Sequence, residues 1–399
     1  MAVLKLYRNT VEGIIKALQQ IFSENSYADK VIERILKQNP RWGSHDRRFI
    51  AESTYEIVRW YRLLKEASGD SEPSFWKLFG TWCIVNEIEL PGWSEFENTD
   101  AEKILNNYEK LKSIRKIRES IPDWLDEIGS NELGKEWDKE IEALNQQAKV
   151  VLRVNTLKTT KEHLQKLLAD QQIETESISK FPDALILKKR QSVFQLKEFK
   201  EGLFELQDAS SQVVGTFLNA EPGMRIIDAC AGGGGKTLHL AALMKNKGRI
   251  IAMDVEQWKL EELKKRARRA GAGNIETKLI ESGKTIKRLS ESADRLLLDV
   301  PCSGLGVLKR NPDAKWKLSL DFIEKVKTMQ QEILNSYCSM LKPGGIMVYA
   351  TCSLLASENE KQVQNFINEQ KDSFELLEEK RIMPSEGFDG FYMARLKKL

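Results

Sequence analysis

From Leu206 onward, short apolar runs alternate with helical segments, and this alternation constrains the fold more than any other feature of the chain. RIIDA (225–229), GRIIAMD (248–254), NIETKLI (274–280), DRLLLDV (294–300) and GIMVYAT (345–351) read as strands with helices between them. A strand lying parallel to its neighbour needs a crossover, so the pattern predicts an α/β domain with a doubly wound, mostly parallel sheet. Ligands of such sheets bind beyond the carboxyl ends of the strands. The residues that carry chemistry should therefore follow the strand ends directly.

The rest of the chain has a different texture. Between Thr10 and about Arg118 apolar residues recur at three-to-four spacing, as in VEGIIKALQQIF (11–22) and FIAESTYEIVRWYRLL (49–64), with Pro40, Pro73, Pro91 and Pro122 at the breaks. Residues 1–130 should form an all-helical domain. VVLRVNTLK (150–158) and ALILKK (184–189) read as strands around a helix at TKEHLQKLLADQ (160–171), which makes 145–205 a small α+β subdomain before the sheet domain at 206–399.

Composition removes several classes of function. Lys and Arg number 62 against 59 Asp and Glu, a net charge of +3, so any nucleic-acid footprint must be local. No apolar run approaches the ~20 residues that span a bilayer, and the start MAVLKLYRNTVEG meets Lys5 and Arg8 before a signal-type region develops. A cytoplasmic location, without membrane, is expected. Five cysteines without a C-x-x-C pair and three scattered histidines suit neither a disulfide framework nor a zinc site, so no metal is expected.

The loop DACAGGGGKT (228–237) joins the first strand of the sheet to a helix through four consecutive glycines, which allow close backbone approach to a ligand. A Walker loop fails because its first glycine would fall on Cys230, and no G-x-G-x-x-G is present here. The second strand ends in Asp254, placed to accept hydrogen bonds from ribose hydroxyls. Loop and carboxylate together imply an adenosine-type cofactor, with Asp254 as a plain helix cap the alternative.

The next signal is a pair of thiols. The fourth strand delivers Cys302 three residues past Asp299, and the fifth delivers Cys352 between Thr351 and Ser353. A lone cysteine there is usually a small buried hydrophobe. Two at neighbouring strand ends suit attack on carbon 6 of cytosine, which makes carbon 5 nucleophilic enough to take an electrophilic methyl group. An acid at ring nitrogen 3 and a base for the carbon 5 proton would complete that chemistry.

DACAGGGGKT, AMDVEQWKL, LLLDVPCSGLGVLKRNPDAKW, YATCSLLASENE and DGFYMARLKK, with RVNTLK (153–158) and LQDASSQ (206–212) upstream, resemble the motifs of the RsmB/Sun-type RNA (cytosine-5) methyltransferases. SHDRRFIAESTYEIVRWYR (44–62) resembles the NusB-like helical domain of the RsmB branch. The resemblance implies a Rossmann-like S-adenosylmethionine-dependent methyltransferase domain, preceded by an RRM-like subdomain and a NusB-like RNA-binding domain. It implies S-adenosylmethionine held by Cys230, Ala231, Gly232, Gly233, Gly234, Gly235 and Lys236 and by Asp254. Cys352 is then the nucleophile, Cys302 assists release of the methylated base, and Asp299 contacts the target cytosine beside the methyl donor.

The chain departs from the family pattern twice. Gly232 and Gly233 stand where Ala-Pro is common, so the turn should be more pliable. Ser282 stands where the third strand commonly ends in aspartate; its hydroxyl can still meet the adenine amino group, with Glu281 a substitute.

KLKSIRKIR (110–118) and KLEELKKRARR (259–269) are candidate basic clusters, although the second suits a solvated helix face equally well. Arg59-Trp60-Tyr61-Arg62 and Arg41-Trp42 read as core before they read as base-stacking. Arg310 and Pro312-Asp313, following Cys302, are better candidates for touching a target strand whose cytosine is flipped out. The expected partner is RNA, of the small ribosomal subunit by analogy to the RsmB branch, and the expected state is a monomer. The rival readings are a tRNA or DNA cytosine-5 methyltransferase and a non-catalytic RNA-binding scaffold of the same fold.

Overall fold

The computed structural model describes residues 5–370 and 372–399; the first four residues of the start that was read as lacking a signal lie outside them. The chain forms two compact units. One contains residues up to Gln146 together with Leu308–Ser319, and the other contains Gln147–Val307 and Leu320–Leu399.

The first unit is helical. The helix Arg8–Phe22 buries Val11, Ile14, Ala17, Leu18 and Ile21 along one stripe, as its three-to-four spacing requires. Prolines precede helix starts: after Pro73, the Ser74 side chain caps Phe75–Val85 by accepting from the Lys77 N–H, and Pro122 leads into Asp123–Leu133. The periodic stretch 49–64 is two helices, Ser44–Arg59 and Tyr61–Ala67, because Trp60 leaves helical geometry at φ −102°, ψ 18°.

Leu308–Ser319 completes this unit, although the sequence places it within the sheet domain. The Asp313 carboxylate accepts from the Ala28 N–H at the start of the helix Ala28–Gln38 (3.0 Å). The Trp316 indole donates to the Val58 carbonyl (2.8 Å) and stands edge-on to Tyr61. Arg59 donates to the Lys309 carbonyl (3.0 Å), and the buried Lys315 side-chain nitrogen donates to Asn145 Oδ1 (3.2 Å). Pro312 and Asp313 are therefore buried structural residues, not the RNA contacts that their position after Cys302 suggested.

The second unit holds two sheets. The smaller is antiparallel, in the order Thr175–Ser177, Ala184–Leu187, Val151–Val154, Phe204–Leu206. Its helix Lys161–Ala169 is capped by Thr160, and the apolar core includes Leu152, Leu164, Leu185 and Phe204.

The larger sheet has seven strands: β1 (Arg225–Asp228), β2 (Arg249–Asp254), β3 (Ile275–Leu279), β4 (Ala293–Asp299), β5 (Leu341–Thr351), β6 (Phe374–Ile382) and β7 (Phe391–Lys398), in the order β6-β7-β5-β4-β1-β2-β3. Strands β1 to β5 pair in parallel, as the alternation predicts. Strands β6 and β7 add an antiparallel edge. The chain order reverses between β1 and β4, so the loops after these two strands diverge and leave a crevice at the carboxyl edge.

Candidate active site

The glycine loop leaves β1 and enters the helix Gly235–Leu243 through Gly234, which has φ +87°. A β-carbon at Gly234 would lie 2.5 Å from Leu263 Cγ, so both conformation and space demand glycine there. The loop is braced rather than pliable. Arg266 donates to the Gly233 carbonyl (2.7 Å), Arg153 donates to the Gly235 carbonyl, and the Gly232 N–H donates to Asp254 Oδ2 (3.0 Å). Two arginines from outside the loop thus supply the stiffness that Ala-Pro would have given.

Asp254 ends β2 nearly buried. Its Oδ1 accepts from the Glu256 N–H (2.9 Å), so it serves helix entry as well as the loop. Each oxygen keeps a free lone pair for a ribose hydroxyl. Asp228, at the end of β1, is fully buried; Oδ2 accepts from the Thr237 hydroxyl (2.7 Å) and Oδ1 has no hydrogen-bond partner. Burial pushes this carboxyl up to about 7 against the opposing Thr237 bond. A buried oxygen left unpaired beside a glycine loop is poised for a ligand donor, and with Asp254 it gives a set of acceptors whose chemistry fits S-adenosylmethionine. In the sequence Asp228 is only the first residue of the loop motif, with nothing local to mark a role of its own.

Lys236 follows the glycines and donates to Asp299 Oδ2 (2.7 Å) at the end of β4. Burial works against its charge, but the attraction of Asp299 outweighs this and holds the ammonium above its ordinary pKa. Ser282 lies exposed beyond β3, before the short helix Gly283–Lys287, and its side chain makes no capping bond.

Cys302 and Cys352 meet, Sγ to Sγ, at 3.3 Å. The bond to Cys352, together with burial, pushes the Cys302 thiol well above its ordinary value. Cys302 therefore keeps its proton near neutral pH, and either sulfur can be the donor in this contact. The glycine turn after Cys302 docks on the other cysteine, with the Gly306 N–H donating to the Cys352 carbonyl (2.8 Å). Asp299, Lys236, both thiols and the glycine loop all belong to the second unit and sit at the carboxyl ends of β1, β4 and β5.

The basic clusters are largely neutralised by partners. In the first, Arg115 pairs with Asp126 (2.8 and 3.2 Å), Arg118 with Glu119 and Asp138, Lys112 with Glu109, and Lys116 with Asp123. In the second, Arg266 and Arg269 share the buried Glu205 (3.0 and 2.5 Å), which ties the helix Gln257–Ala270 to the small sheet. Among the described residues no cluster of three or more His, Cys, Asp or Glu side chains is arranged to hold a metal. No described helix is long and apolar enough to cross a membrane.

A family model for the 16S rRNA methyltransferase RsmB/F matches residues 215–397, and one for the ferredoxin-like domain of RsmF/B-like methyltransferases matches 121–194. The probable ribosomal RNA small subunit methyltransferase B of Synechocystis is 34% identical over a 438-residue alignment covering 96% of this chain and 97% of that protein. The chain belongs to the RsmB/F methyltransferase family. An RsmB relative in Pasteurella multocida, ribosomal RNA small subunit methyltransferase B, is 37% identical over 293 residues, 70% of this chain and 65% of that protein. The crystal structure of PH0851 covers 99% of the chain and is itself wholly covered, with a TM-score of 0.84 and 26% identity. A methyltransferase homologue from Pyrococcus horikoshii covers 71% of the chain, with 98% of its own length, a TM-score of 0.63 and 29% identity. The RsmB/F match spans β1 to β7, and with it the glycine loop, Asp254, Asp299 and both thiols.

Proposed function

We propose that this protein is an S-adenosylmethionine-dependent RNA (cytosine-5) methyltransferase acting on 16S-type ribosomal RNA through a covalent cysteine adduct. The observation that carries the reading is the 3.3 Å approach of Cys302 and Cys352 beside the Asp299–Lys236 pair at the crevice edge. Methyl transfer to an exocyclic nitrogen or to a ribose hydroxyl needs no thiol, and two thiols facing each other suit a cycle with one attack and one release.

Bound at Asp228, the glycine loop, Asp254 and Ser282, S-adenosylmethionine supplies an electrophilic methyl group. The protein's own residues do the rest. The target cytosine must leave its stack to reach the crevice, where Asp299 meets ring nitrogen 3 and the exocyclic amine. Cys352 gives up its proton as Sγ bonds to carbon 6, and Asp299 relays a proton to nitrogen 3, which neutralises the electron density that moves there. That density returns to carbon 5, the atom that accepts the methyl group. The carbon 5 proton is then lost to water, carbon 5 and carbon 6 regain their double bond as the carbon 6–Sγ bond breaks, and Cys302 assists this release of Cys352. Lys236 holds Asp299 in place.

The helical unit is read as a NusB-like substrate-positioning domain. Relatives named as small-subunit RNA methyltransferases support 16S RNA as the substrate over tRNA. Incubation with methyl-labelled S-adenosylmethionine and unmodified 16S RNA should place label in the RNA. Bisulfite sequencing should locate it at carbon 5 of a cytosine. Label in DNA or tRNA alone, or at a nitrogen, would replace this reading.

A further inference from the structure

We propose that Glu358 is a positioning residue that fixes the two thiols relative to each other, by gathering the residues that directly follow Cys302 and Cys352 onto one buried carboxylate. The inference rests on the functional reading above only for the claim that both thiols react.

Glu358 ends the short turn Ala356–Glu358 and is 0% exposed. Its Oε2 accepts from the Ser303 N–H (2.7 Å), and its Oε1 accepts from both the Ser303 hydroxyl (2.5 Å) and the Ser353 hydroxyl (2.5 Å). Gln330 adds a fourth donor at Oε2 (3.1 Å) and also reaches the Pro301 carbonyl (3.0 Å), on the other side of Cys302. The two serine oxygens stand 3.1 Å apart, one residue beyond sulfurs that stand 3.3 Å apart.

The neighbouring residue secures the second turn. Asn359 donates to the Ser353 carbonyl (3.0 Å) and accepts from the Thr351 hydroxyl, so it brackets Cys352, and Tyr349 anchors the Glu358 carbonyl (2.7 Å). Asn359 thus shapes one turn, whereas Glu358 links two turns that are distant in sequence. Only an acceptor-only group can serve three donors from two turns and a fourth from a helix. A buried network in which both oxygens of the central carboxylate are paired holds its members rigidly, and loses its hold when one acceptor becomes a donor. Glu358→Gln keeps the shape and replaces one oxygen by an amide NH2, which must then face either the two hydroxyls or Ser303 N–H and Gln330.

The test reads thiol proximity without RNA or cofactor. Diamide removes two electrons and two protons from a pair of thiols, forms one S–S bond between them and is itself reduced to the hydrazine. The wild type should give an intramolecular Cys302–Cys352 disulfide, identified by the mass of the joined tryptic peptides. Glu358→Gln should slow its formation by about tenfold or more, and lower kcat with KM for S-adenosylmethionine unchanged, because small misplacements of reacting groups are costly. Ser353→Ala cuts the tie to one turn only and should act in the same direction by a smaller factor; it decides the matter if Glu358→Gln does not fold. Wild-type cross-linking rates in folded variants would overturn the proposal, as would a wild type that forms no such disulfide. A wild type that cross-links while transferring no methyl group to RNA would remove the functional reading and leave the clasp standing.

Discussion

Cys302 and Cys352 both follow strand ends, yet their surroundings separate their roles. The bond to Cys352 and burial push the Cys302 thiol up, which suits Cys302 to a later step than attack, and the nucleophile of the proposed cycle is Cys352. Cys352→Ala should therefore form no protein–RNA adduct. Cys302→Ala should attack and methylate but release slowly, accumulating an adduct that survives denaturing electrophoresis. The reverse pattern would transfer the nucleophile to Cys302. Asp228 offers a pH signature. Its folded pKa of about 7 lies above the ordinary carboxyl value, so the folded state keeps a proton that the unfolded state gives up. Its contribution to stability accordingly falls as pH rises from about 4 to about 7, and the penalty stays constant above that. Without cofactor, Asp228→Asn should raise Tm at pH 8 by on the order of a few degrees and change it little at pH 4. Equal shifts at both pH values, measured by calorimetry, would show that the carboxyl is not the cause.

At the scale of elements, the glycine loop shows how tertiary contacts can overrule a local expectation. Consecutive glycines suggest a pliable turn, but Arg153, Arg266 and Asp254 hold its backbone from three directions. Two of these braces come from segments whose local pattern points elsewhere: RVNTLK to a strand and a family motif, and KLEELKKRARR to a basic cluster or a solvated helix face. Gly234→Ala tests the loop as a unit. Left-handed backbone costs a non-glycine residue about 1–3 kcal/mol, and the new methyl would strike Leu263. Titration calorimetry should show affinity for S-adenosylmethionine falling about tenfold or more, and unchanged affinity would place the cofactor elsewhere. The antiparallel edge was illegible for a different reason. FELLEEKRI leaves Glu375 to Glu379 exposed, so β6 lacks the alternation that marks a half-buried strand and is recognisable only by its pairing with β7.

At the scale of the molecule, the helical unit is completed by a segment that the sequence order places inside the sheet domain. Leu308–Ser319 leaves the turn after Cys302, supplies Asp313, Lys315 and Trp316 to the helical unit, and returns at Leu320. A fragment beginning at residue 147 would carry this segment without its partners. Limited trypsin should cut that fragment at Lys309 to Lys317 much faster than it cuts the full chain, because protection there depends on packing with helices the fragment lacks. Equal rates would mean that the segment is structured on its own. By itself the sequence determined the parallel strands β1 to β5, the strand-end positions of Asp254, Asp299, Cys302 and Cys352, and the helical character of the first unit. Those are consequences of hydrophobic period and of where a strand must stop, which are local properties. It left undecided whether the thiols touch, what stiffens the glycine loop, and which unit owns residues 308–319. Each of these depends on side chains from segments distant in sequence, such as Glu358 against Ser303 or Asp313 against Ala28, and only tertiary packing brings such partners within hydrogen-bond range.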